Sequence, residues 1–101
     1  NLDEAETLIK KALGLNPENG AYIDSLGWVY FKKGMFDEAI VELEKAQEII
    51  GEDPVVYDHL GDVYFKIGSL DKAKEAWVKS IELKEDKLVK EKLDALQKNP
   101  K

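Results

Sequence analysis

The stretch DSLGWVYFKKGMFDEA, Asp24 to Ala39, returns 34 residues later as DHLGDVYFKIGSLDKA, Asp58 to Ala73. Ten of the sixteen positions are identical. Self-similarity at such a fixed period decides the architecture before any single residue is read. One of the six differences places Asp62 where the first copy has Trp28. A frame held constant around one changeable position separates residues that build the unit from residues that face away from it.

The offset extends in both directions. It aligns Lys45 with Lys79 and Ile49 with Leu83. One further step back sets LDEA, Leu2 to Ala5, against FDEA, Phe36 to Ala39, and Ala12 against Ala46. The chain therefore divides into the second half of one unit (1–19), two full copies (20–53 and 54–87) and a tail (88–101).

Each full copy reads as two helices. Ile23, Leu26 and Tyr30 recur at helical spacing, as do Tyr57, Leu60 and Tyr64. Asp53 before Pro54 is a helix cap followed by proline in the first turn, where its missing N–H costs nothing. Gly34 and Gly68 end these first helices, and Asp37 and Asp71 are expected to cap the next ones. The second helices carry Ala39, Leu43 and Ala46, then Ala73, Trp77 and Ser80. Asn16-Pro17 closes the partial helix and Gly51 the next. Gly27 and Gly61 sit within helices, at a cost of about 1 kcal/mol each relative to alanine. A neighbouring helix that crosses too closely for a Cβ explains that cost. Leu43 and Trp77 are expected to fill the space between pairs.

Bulk composition sets the class. One hundred and one residues make one modest domain, 44% hydrophobic and 36% charged. No apolar run approaches the length of a membrane span. The absence of cysteine removes disulfides, thiolate metal sites and thiol nucleophiles, and is compatible with cytosol or periplasm alike. The net charge of −6, with no basic segment interleaved with aromatics, argues against nucleic acid as a partner.

At 34-residue period, the Leu-Gly, Tyr, Gly, aromatic or aliphatic, Ala, large, Ala pattern resembles the tetratricopeptide repeat (TPR) family over residues 1–87. Ser80 replaces the last alanine, and Gly51 and Glu85 stand where that family usually has proline. The resemblance implies an all-α, right-handed solenoid of antiparallel helix pairs. Residues 88–98, LVKEKLDALQK, keep an apolar stripe of Val89, Leu93 and Leu96 opposite Lys90, Glu91, Asp94 and Lys98, as a capping helix requires. The wording DSLGWVYFK is also similar to terminal repeats of larger bacterial TPR proteins; because the first helix lacks its own partner helix, the chain is expected to be the C-terminal piece of a longer array.

Catalytic chemistry finds little support. His59 is the only histidine, and no serine or threonine has a base at suggestive spacing. Asp58, His59 and Asp62 offer too few ligands for a specific metal, and no cofactor is expected. More informative is the face of each first helix that the packing signature leaves unused. On a helical projection Asp24, Trp28, Phe31 and Lys32 share one side of the first copy, and Asp58, Asp62, Phe65 and Lys66 are their equivalents. The family resemblance implies that first helices line a concave, peptide-gripping surface. Arrays that hold a free C-terminal carboxylate are similar in presenting Lys and Asn there, whereas this chain presents aspartates. A basic-apolar protein segment is therefore the expected partner. A purely structural role is the alternative: Asp62 would pair within its own helix, and the apolar first helix, with Leu2, Ala5, Leu8, Ile9, Ala12 and Leu13, would drive self-association.

Overall fold

The computed structural model describes residues 1–98. Six helices run in order: α1 (Leu2–Leu15), α2 (Gly20–Lys32), α3 (Phe36–Ile50), α4 (Pro54–Lys66), α5 (Leu70–Leu83) and α6 (Lys87–Lys98), with no strand among the described residues. The expected tail after Lys98 lies outside the described residues. The chain divides into two compact units, one of residues 1–51 and one beginning at residue 52.

The first unit packs α1 and α3 against α2. Its core is Ile23, Leu26, Val29 and Tyr30 from α2 with Ala39, Leu43 and Ala46 from α3. Gly27 lies at the crossing of α2 and α3, where an added Cβ would meet Leu43 Cγ at 2.8 Å and the Ala39 carbonyl at 3.3 Å. The helix with no buried residue is α1. Lys33 ties it to α2 through Asp3 at 2.8 Å and Glu6 at 2.7 Å.

In the second unit α4 and α5 form the equivalent pair and α6 packs on α5. Its buried hydrophobic residues are Val56, Leu60 and Val63 from α4, Ala73, Ala76 and Trp77 from α5, and Val89 and Leu96 from α6. A Cβ on Gly61 would collide with the indole of Trp77. Leu43 and Trp77 thus close onto the glycine of their own helix pair, and Trp77 also packs with Val89 and Leu96 of α6, in the space beyond the pair that the sequence suggested. Ser80, in the position of Ala46, is buried and donates from Oγ to the Pro54 carbonyl at 2.8 Å. That bond makes the hydroxyl acceptable in the core.

The turns follow the sequence with one correction. Asp53 caps α4, accepting from the N–H groups of Val55 and Val56. Gly34 adopts φ +80°, and Met35 N–H donates to the Tyr30 carbonyl at 2.8 Å; Gly68 (φ +85°) and the Ser69–Tyr64 bond at 2.9 Å repeat the arrangement. This six-to-one closure needs a left-handed residue, which glycine supplies without strain. It also brings the next helix in immediately, so Met35 and Ser69 occupy the cap positions without a side-chain cap bond. Asp37 and Asp71 are therefore not the caps; they lie inside the first turn. There their charge still favours the positive helix end.

Candidate functional site

The eight residues singled out by register lie on the first helix of each pair, four per unit. In the first unit, Trp28 and Phe31 of α2 have ring centroids 5.0 Å apart, and Phe31 lies 5.8 Å from Phe36 at the start of α3. Spacing of three residues along α2 brings the first two rings together. Lys32 places its ammonium 5.0 Å from the Trp28 ring centroid, within cation–π reach. Asp24, Trp28 and Phe31 are half-buried, and Lys32 is exposed.

In the second unit, the aspartates meet a cation. The ammonium of Lys92, from α6, donates to Asp58 Oδ1 at 2.9 Å and to Asp62 at 2.9 and 3.2 Å. The ion pair of Asp62 thus reaches across to the capping helix. The Trp77 ring centroid is 5.9 Å from the same ammonium, and Trp77 Nε1 donates to the Asp58 backbone carbonyl at 3.3 Å. Phe65 is 51% exposed, with its ring 5.8 Å from that of Trp77, and Lys66 is exposed. Lys92 and Trp77 were absent from the sequence-derived set. Lys92 interrupts the apolar stripe of α6 between Val89 and Leu96, and that interruption was the available signal.

Burial pushes the Asp62 carboxyl above the usual carboxylate range, although its bonds to Lys92 pull the other way. Burial also works against the charge of Lys92, but the hydrogen bonds it donates to Asp58 and Asp62 outweigh that and raise its pKa. The cluster holds one positive charge between two partly desolvated carboxylates. Among the described residues no group of three or more His, Cys, Asp or Glu side chains could hold a metal ion. None of the described helices is long and apolar enough to cross a membrane.

The tetratricopeptide repeat model matches residues 22–53 and 55–87. The chain belongs to the TPR family. Comparison with curated protein sequences gives no match. Among solved structures, the first TPR of Spaghetti, bound to an HSP90 peptide, superposes with a TM-score of 0.90 at 20% identity, covering 97% of this chain and 79% of that one. The type III secretion chaperone SycD of Yersinia enterocolitica, in complex with a peptide of the translocator YopD, gives 0.88 at 18% identity over 99% and 82%. A TPR protein of Thermus thermophilus gives 0.85 at 25% identity, over 93% of this chain and 48% of that one. These likenesses establish the all-α helical-repeat fold, in which α2–α3 and α4–α5 are the two complete TPR units.

Proposed function

We propose that this TPR chain is a non-catalytic protein-interaction module. It takes a partner segment on the faces of α2 and α4 that carry Asp24, Trp28, Phe31 and Lys32, and Asp58, Asp62, Phe65 and Lys66. One observation carries the reading: Asp58 and Asp62 already hold a lysine ammonium beside an aromatic ring. Trp28, at the repeat position of Asp62, has a lysine ammonium over its own ring. Faces of this chemistry favour a cation with an apolar neighbour. The peptides bound to Spaghetti and SycD support the general mode, because those proteins share this fold.

A panel of fluorescent peptides tests this. Peptides that place Lys or Arg beside Leu or Phe should bind the chain, more weakly as salt rises, and peptides ending in acidic residues should not. Preference for the acidic peptides would overturn the reading.

Self-association through α1 is the second reading. It rests on Leu8 and Leu15, which are 66% and 81% exposed on a helix that buries no residue.

A further inference from the structure

The acidic face of α4 is already occupied, by a segment of the same chain. Lys92 projects from the middle of α6 onto Asp58 and Asp62. Around it, α6 is an amphipathic helix: Val89 and Leu96 are buried, Leu93 is half-buried, and Lys90, Glu91 and Asp94 are exposed. Val89, Lys92, Leu93 and Leu96 fall at helical spacing, so a single face presents one ammonium framed by aliphatic side chains. The fit is incomplete. A solvent-open hollow of ≈ 90 Å³ remains beside Asp58, with Pro54, Val55 and Val89 as its apolar wall and Ser80, Lys84 and Asp86 as its polar one. Val89 is the α6 side chain at its edge, and a longer aliphatic group there has room to enter.

We propose that α6 is a displaceable internal pseudo-ligand. The Asp58–Asp62 face then receives, from a partner, an amphipathic helix with a lysine inside its apolar stripe and a side chain larger than valine at the place of Val89. This rests on the peptide-binding reading above and deepens it, since it specifies a helical partner and the element that must leave. Exchange of one ammonium for another keeps both carboxylates paired, so it avoids the strong penalty of stranding buried charge. The tethered helix competes at high effective concentration. A partner overcomes it by filling the hollow that Val89 leaves.

The probe is a labelled synthetic peptide, DKLVKEKLDALQK, which repeats residues 86–98, together with a version carrying Leu at the place of Val89. Both are titrated with the full chain by fluorescence anisotropy. The added methylene should tighten binding about fourfold. Removing the internal competitor with Lys92→Ala should tighten it about tenfold, in line with the loss of charge-assisted hydrogen bonds from the tethered helix. The double change Asp58→Asn with Asp62→Asn weakens α6 and the peptide alike, so it should erase the difference between peptides with Lys and with Gln at the Lys92 place; on the parent chain the Gln peptide should bind about tenfold more weakly. Equal affinity of the parent and Lys92→Ala chains, or equal affinity of the Lys and Gln peptides for the parent chain, overturns the proposal. Hydrogen exchange on the parent chain decides the matter without any substitution. A saturating amount of the Leu peptide should accelerate exchange across residues 87–98, and unchanged exchange also overturns the proposal. If extended Lys-apolar peptides bind through Trp28 while the helical ones fail here, the broader reading stands and this one falls.

Discussion

The ammonium of Lys92 lies 2.9 Å from a carboxylate oxygen of Asp58 and 2.9 Å from one of Asp62. This contact explains the aspartate that replaces tryptophan in the second copy. Position 62 faces the capping helix, and that helix brings a cation. Burial nevertheless leaves Asp62 above its ordinary pKa. In the window between the ordinary and the raised value the folded state binds more protons than the unfolded state. Stability contributed by this group therefore rises as pH falls through the window. Lys92, with its raised pKa, stays charged there; its contribution is lost only above the ordinary lysine range. The stability of the parent minus that of Asp62→Asn should accordingly grow between pH 7 and pH 4 in urea melts. Parallel curves would show that burial of Asp62 is not what sets its proton affinity.

Gly61→Leu should cost the fold several kcal/mol, about 3 or more, because the side chain enters space filled by the indole of Trp77. Gly51 stands in open surroundings but at φ +87° and ψ −160°, a region nearly closed to other residues. Gly51→Leu should thus cost about 1–3 kcal/mol through backbone strain alone. Denaturant unfolding should rank the parent above Gly51→Leu and Gly51→Leu above Gly61→Leu. Equal midpoints for the two variants would refute the packing assigned to α4 and α5.

Ser80→Ala restores the residue that the first copy has at Ala46, yet it should destabilise the chain. The hydroxyl is buried and bonded to the Pro54 carbonyl. Its removal leaves that carbonyl short of a partner, a loss of about 1 kcal/mol. Chemical denaturation of the two proteins side by side measures it, and a neutral or stabilising result would mean that water satisfies the carbonyl instead.

The helix pairs were legible because identical residues at a fixed period serve identical contacts. Gly27 and Gly61 read as close crossings, and Gly34 and Gly68 as helix ends, from residue type and place alone. Asp37 and Asp71 misled because aspartate suits both a cap and a first turn, and only the closure at Gly34 and Gly68 distinguishes the two. The place of Trp77 was legible too: besides closing on Gly61 it packs with Val89 and Leu96 of the next helix, α6. The partner of Asp62 was hidden differently. Lys92 lies 30 residues away in a segment outside the repeat signature, so no register argument could connect them.

Leu8→Glu should reduce self-association of the chain. Leu2, Leu8 and Leu15 are exposed on α1, whereas Leu43 and Trp77, which correspond to Ile9, are almost wholly buried in complete pairs. A helix so placed retains apolar surface that a second copy can cover. Sedimentation velocity across a wide concentration range should show oligomers for the parent and a shift towards monomer for Leu8→Glu. A parent that remains monomeric at high concentration removes this route.

Trp28→Ala should weaken peptide binding more than any other single change on the α2 face. Its ring stacks with Phe31 and receives the Lys32 ammonium at 5.0 Å, so it supplies both apolar area and a cation-binding surface. Aromatic anchors of this kind carry a large share of interface energy, with losses of about 2 kcal/mol or more on truncation. Exposed ion pairs contribute only about 0.2–1 kcal/mol, so Asp24→Asn should weaken binding less and mainly at low salt. Trp28 is half-buried and outside the core of Ile23, Leu26 and Val29, so the melting temperature should fall little. Titration calorimetry with the best Lys-apolar peptide separates these effects. If Trp28→Ala binds that peptide as tightly as the parent, the α2 face is not where the partner sits.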